Sequence, residues 1–277
     1  MKAPHKFSWI PAALLIAVSC SGAGGNHPAN QPRILSAFFG LDNALPAAAN
    51  FLCPSAAGQD GMPVVFSRRI DPASINPEDF RIVTAGGAAR VPSCATPSPA
   101  TKVHERRTIL LIGEFGDDPV DPPVRLEITG PLLTEPDAGG ETFDFSGSVF
   151  NDITPLAAGP FLVWAEVLAS GGDCPGAATA TVVQVTWAGG VLALSGQELG
   201  DPERERYRVT ITNSSGAEET IVPFALGDLS DQDTHHELCL AAGVTPLRVG
   251  MAADTVIDPR GDPNPDTSVE IEPGGSS

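Results

Sequence analysis

Ligand-type side chains crowd into one stretch, Asp228-Leu229-Ser230-Asp231-Gln232-Asp233-Thr234-His235-His236-Glu237. Carboxylates with imidazoles suit a transition ion, and carboxylates alone suit Ca²⁺. Asp231, Asp233 and His235 are the candidate ligands here. On a strand, His235 and Glu237 face one side while His236, Leu238 and Leu240 face the other. The two histidines then point apart, and the zinc-protease pattern fails for want of a second histidine at its spacing. The competing reading is a polar loop that leads into the strand of Cys239. A second stretch, Asp258-Pro259-Arg260-Gly261-Asp262-Pro263-Asn264-Pro265-Asp266, offers side-chain oxygens that could surround a hard cation in a turn. Asp258, Asp262, Asn264 and Asp266 are its candidate Ca²⁺ ligands, although Arg260 and Pro263 interrupt them and favour a Pro-stiffened polar loop.

Nucleophilic catalysis finds little support. There is no Gly-x-Ser-x-Gly elbow, and nothing locates a serine for His104 or His235. A glycosidase needs only two carboxylates, of which the chain has many. Its large amphipathic rings are few, however, and Trp164 and Trp187 lie in strong strand patterns that read as core. No glycine loop for phosphate and no nucleotide fingerprint is present. Asn213-Ser214-Ser215 before Gly216 reads as a hairpin turn.

The elements that must position these groups are strands. Gly and Pro, 29 and 27 residues, cut the 277-residue chain into short pieces. Between them lie β-branched or alternating runs such as Pro63–Ser67, Phe80–Thr84, Thr108–Gly113, Val124–Thr129, Phe161–Leu168, Ala178–Trp187, Tyr207–Asn213 and Leu247–Met251. Strands of this length and spacing predict an all-β fold of sandwiches. Gly189-Gly190 predicts a hairpin between the strands on either side. Small residues flanked by Thr154-Pro155 and Gly159-Pro160 predict a boundary, giving β-sandwiches over 33–158 and 159–277, with a loop inside one larger domain as the alternative.

The N-terminus has the layout of an export signal over 1–19: Lys2 and Lys6, an apolar run from Trp9 to Val18, then a small-residue cleavage zone. Ile16-Ala17-Val18-Ser19-Cys20 resembles the bacterial lipobox, which implies a lipid on Cys20 as the first residue of the mature chain. Ser21 resembles the pattern that permits sorting to the outer membrane. Ordinary cleavage near Ala23, with free secretion, is the alternative, and residues 20–32 read as a flexible tether in either case. The expected location is extracytoplasmic, as an outer-membrane lipoprotein or in the periplasm, alternatively secreted. Removing Lys2 and Lys6 leaves 14 basic against 34 acidic residues, a formal charge of −20. That charge repels nucleic acid and anionic lipid; it reads as a solubilising extracellular surface, with divalent cations and basic proteins as the alternative partners. Lys102 is then the one remaining lysine, which reads as coding bias of a GC-rich genome and not as chemistry. Cys53, Cys94, Cys174 and Cys239 are an even set in an exported chain and predict two disulfides. Three pairings are open; a two-domain split favours Cys53–Cys94 with Cys174–Cys239.

Pro63-Val64-Val65-Phe66-Ser67, Asp71-Pro72-Ala73-Ser74 and Asn76-Pro77-Glu78-Asp79-Phe80 together resemble the bacterial immunoglobulin-like repeat. The resemblance implies two apolar strands joined by an Asp-Pro turn, and a spacer or binding role at the cell surface. The expectation is a lipid-anchored, non-enzymatic envelope protein with a protein or cell-surface partner. The alternative is a Ca²⁺-dependent or hydrolytic enzyme with its site near residues 228–237.

Overall fold

The computed structural model describes residues 31–137, 139–169, 172–175, 180–229, 231 and 233–274. The expected export signal, Cys20 and the expected tether as far as residue 30 lie outside the described residues. The first half contributes β1 (Ile34–Ala37), β2 (Asp60–Phe66), β3 (Phe80–Thr84), β4 (Ala89–Arg90), β5 (Cys94–Thr96), β6 (Thr108–Gly113), β7 (Pro123–Ile128) and β8 (Val149–Phe150). They form two antiparallel sheets, β1–β2–β6–β5 and β4–β3–β7–β8. Alternation along β2 sends Met62, Val64 and Phe66 into the space between the sheets, where Phe80, Ile82, Leu126 and Ile128 meet them from the other side. Two short 3₁₀ turns lead into β3. Asp71 accepts from Ala73 N at 3.0 Å and Asn76 from Glu78 N at 3.3 Å, so each turn is capped by the residue before its proline.

The second half adds β9 (Leu162–Val167), β10 (Thr181–Trp187), β11 (Leu192–Ala193), β12 (Arg208–Thr212), β13 (Glu218–Ile221), β14 (Ala225–Gly227), β15 (His235–Leu240), β16 (Thr245–Met251), β17 (Val256–Ile257) and β18 (Thr267–Glu270). Sheets β14–β15–β10–β9 and β13–β12–β16–β18 enclose a second core. Val183, Val185 and Trp187 fill it from one sheet, and Val209, Ile211 and Val249 from the other. The Trp187 indole N–H donates to the Tyr207 hydroxyl at 3.2 Å, which satisfies the one polar atom that the ring would otherwise strand there. The chain is all-β in this sense: sandwiched antiparallel sheets with only short helical turns. Among the described residues no helix is long and apolar enough to cross a membrane.

From Pro32 on, the chain forms one compact unit that holds both cores. The connecting segment runs alongside β1, with Thr154 N donating to Ala37 O at 2.8 Å and Phe39 N to Thr154 O at 3.0 Å. The halves meet across a polar seam. Glu166, Gln184, Thr186, His235 and Glu237 are cross-strand neighbours on the face of β9, β10 and β15 opposite the core. Arg107, 1% exposed, reaches that face and donates from Nη2 to Glu166 Oε1 at 2.5 Å. Its guanidinium lies 4.7 Å from the centre of the Trp164 ring.

Two expectations change. Gly189-Gly190 is not a hairpin turn, because β11 pairs with β17 (Leu192↔Ile257, Ala193↔Val256) and not with β10. A Cβ on Gly189 would sit 2.9 Å from the Phe38 ring, so glycine serves a close pass against the first half. Trp164 is only half-buried and packs under Arg107 outside the core; Trp187 is the core tryptophan.

Two disulfides staple the structure, Cys53–Cys94 with Cα atoms 6.3 Å apart and Cys174–Cys239 with Cα atoms 5.7 Å apart. Each links residues within one half. Such bridges mark a chain that folds in an oxidising, extracytoplasmic compartment.

Arg107→Ala is expected to cost about 3–5 kcal/mol, because it leaves Glu166 buried without its cation. Arg107→Met combined with Glu166→Leu should recover most of that loss. Urea unfolding of the three proteins measures both; a loss below about 1 kcal/mol for Arg107→Ala would show that the pair does not hold the seam.

Candidate functional site

Asp228, Asp231 and the residues from Asp233 to Glu237 lie at the seam, near a short turn of the first half, Val103–Glu105. Lys102 N donates to Glu105 Oε2 at 2.8 Å, closing that turn and presenting Lys102, His104 and Glu105 together. The Lys102 ammonium contacts Asp228 directly and lies 3.1 Å from Asp231, 3.5 Å from Glu105 and 3.5 Å from Asp173. His104 Nε2 lies 3.6 Å from Glu237 Oε1 and 3.8 Å from Glu105 Oε1. Glu237 is held from its other oxygen, which accepts from Asp173 N at 2.5 Å. Gly227 makes room for it: a Cβ there would stand 2.8 Å from Glu237 Oε2.

The electrostatics of this cluster are unbalanced. Burial pushes the carboxyls of Glu105 and Glu237 above their ordinary range, against the backbone hydrogen bonds each accepts. Burial would also lower the Lys102 ammonium, but the Asp231 hydrogen bond and the surrounding carboxylates outweigh it and hold it above its ordinary value. Burial, reinforced by the Lys102 charge, pushes His104 down and keeps its imidazole neutral. Glu105 Oε1, Glu237 Oε1 and His104 Nε2 are buried without a hydrogen-bond partner. The groups whose ligand atoms gather within 4.8 Å are His104 with Asp228 and Glu237, and Glu105 with Asp228 and Asp231.

A second feature borders the same segment. A cleft of about 320 Å³ opens between the halves, walled by Phe38, Leu45, Pro63 and Leu110 from the first and Val191, Leu192 and Pro259 from the second. Asp233, Thr234 and His236 also line it. Asp233 is 5% exposed, Thr234 8% and His236 3%. Asp233 Oδ2, Thr234 Oγ1 and His236 Nδ1 have no hydrogen-bond partner, whereas Asp233 Oδ1 accepts from His235 N at 2.7 Å. Burial drives the Asp233 carboxyl up to about 8, with repulsion from Glu105 adding to it. Burial drives His236 down to about 4. At neutral pH these three residues therefore offer a protonated carboxyl, a hydroxyl and a neutral imidazole.

The candidate ligands read from sequence do not gather at one point. Asp231 joins the Lys102 cluster, while Asp233 lines the cleft. His235 uses both ring nitrogens at the seam, with Nε2 3.0 Å from Thr108 Oγ1 and Nδ1 3.1 Å from Thr186 Oγ1. Asp258 Oδ1 accepts from Arg260 N and Asp262 N, both at 2.9 Å. Asn264 Oδ1 accepts from Thr255 N and Val256 N, and its Nδ2 donates to Ala252 O and Pro265 O. These two side chains brace their own turn, and among the described residues neither metal-type group includes Asp258, Asp262, Asn264 or Asp266. Lys102, His104 and Glu105 were missed as a unit. Their signal was present as a charged Lys-x-His-Glu-Arg-Arg run directly before a core strand, with the one lysine that follows residue 6 at its head.

A raised carboxyl makes stability fall with pH. Unfolded Asp233 titrates near 3.8 and folded Asp233 near 8, so the folded state holds the extra proton between those values. Stability is expected to decline as pH rises across that window and to level off above it, and Asp233→Asn should flatten the decline. Thermal midpoints of both proteins from about pH 5 to 9 test this; equal slopes would show that Asp233 titrates normally. No protein-family model and no curated protein matches this chain, so its chemistry rests on this geometry alone.

Proposed function

We propose that this chain is an exported cell-envelope protein, anchored to the membrane by a lipid on Cys20, that acts by binding and not by catalysis. Its ligand is a small amphipathic molecule with an apolar body and one hydrogen-bonding end, held in the cleft between the halves. Each half is read as an immunoglobulin-like sandwich, the first of the bacterial surface-repeat type. The observation that carries the binding reading is the set of three unpartnered polar atoms on Asp233, Thr234 and His236 within a mainly apolar lining, to which Ser98, Thr108 and Glu198 also contribute. Buried polar atoms are nearly always satisfied, and a mostly apolar pocket with a few converging polar groups is how small-molecule sites are built. The two disulfides support an extracytoplasmic address, and the lipobox resemblance supports the anchor.

Titration with a neutral solvatochromic dye tests the cleft. Leu110 is half-buried on the cleft wall, and Leu110→Trp should fill it and weaken dye binding at least tenfold without loss of stability. A small molecule that copurifies with the wild type and not with Leu110→Trp would be the expected mass-spectrometric result. Equal dye binding by both proteins, or a crystal structure with only water against His236, would overturn the reading. Mass spectrometry of the mature N-terminus tests the anchor separately, with an acylated Cys20 expected.

A further inference from the structure

We propose that His104, Asp228 and Glu237 form a site for a divalent transition ion of the zinc class, and that the Lys102 ammonium competes with the ion for the same carboxylates. The three ligand atoms lie within 4.8 Å of one another. Two ligands of a tetrahedral ion, each at about 2.1 Å, are separated by about 3.4 Å. His104 Nε2 and Glu237 Oε1 are 3.6 Å apart, so they need almost no movement to share one.

An acidic cluster alone would not point to a metal. Here the buried atoms that face inward are left over after every local bond has been made. Glu237, 0% exposed, spends Oε2 on Asp173 N and leaves Oε1 unpartnered toward His104. Asp228, 2% exposed, leaves Oδ2 unpartnered, and His104 Nε2 is unpartnered as well. Two unpartnered atoms 3.6 Å apart, with a buried Asp228 carboxylate oxygen within 4.8 Å of the pair, are the pattern of a ligand set in which the backbone already orients Glu237.

The donor set selects the ion. One imidazole nitrogen and two carboxylates match zinc and its neighbours, whereas Ca²⁺ and Mg²⁺ favour oxygen alone. Charge favours it too, since one ammonium faces Glu105, Asp173, Asp228 and Asp231 together. The Lys102 side chain is 36% exposed, so it can turn outward without opening a core. His104 comes from the first half, and Asp228 and Glu237 from the second. The ion would therefore staple the seam, independently of what the cleft binds.

Calorimetric titration of the disulfide-intact protein with ZnCl₂ alone is the test, with Co²⁺ absorption as a second readout. One ion per chain is expected, with His104→Ala weakening Zn²⁺ at least tenfold and removing the visible Co²⁺ bands. Lys102→Met should tighten Zn²⁺ at least tenfold. Both substitutions fall on partly exposed side chains, and circular dichroism checks that each variant folds. Binding by Lys102→Met alone would also support the site, because it removes the competitor. The proposal fails if neither the wild type nor Lys102→Met binds Zn²⁺. It also fails if His104→Ala binds as tightly as the wild type, or if Lys102→Met binds more weakly.

Discussion

The arrangement of this protein depends on a polar seam buried between two apolar cores. Arg107 and Glu166 meet there under the Trp164 ring, and His235 is bracketed by the hydroxyls of Thr108 and Thr186. Removing such groups from water is costly, and only well-oriented partners offset the cost. Apolar faces tolerate sliding; an ion pair and a doubly bonded imidazole do not. The seam therefore fixes one placement of the second sandwich against the first. The cleft and the Lys102 cluster exist only because that placement is fixed.

Asp228, Asp231 and Asp233 show how one stretch of chain can place carboxylates in different surroundings. Asp233 is buried on the lining of a mainly apolar cleft, and burial with repulsion from Glu105 keeps it protonated to about pH 8. Asp228 and Asp231, a few residues earlier, sit against an ammonium. What separates them is direct contact with the Lys102 ammonium, which Asp228 and Asp231 make and the cleft-lining Asp233 does not. Glycines assist at two points of close approach, Gly189 beside Phe38 and Gly227 beside Glu237, where any side chain would force the packing apart.

Much of the fold was legible in the sequence, because strand alternation is a local signal with a period of two. Met62, Val64 and Phe66, or Val183, Val185 and Trp187, announce a buried face without reference to any other residue. The capped turns at Asp71-Pro72 and Asn76-Pro77 are equally local. The candidate site was legible only as a segment. Lys102 and Asp231 stand 129 residues apart, and no periodicity links them. Lys102 by itself looks like a compositional accident, and its surroundings reveal an ammonium that faces four carboxylates.

Strand pattern, turn chemistry and cysteine count were properties of the sequence by itself, since each rests on neighbours along the chain or on composition. It also placed His235 and Glu237 on one strand face, away from His236, by alternation alone. Tertiary structure decided what each of them meets: Thr108 and Thr186 for His235, His104 for Glu237, an apolar cleft for His236. The physical reason is that burial and Coulomb interaction depend on distance in space. Only the docking of one sandwich on the other sets those distances.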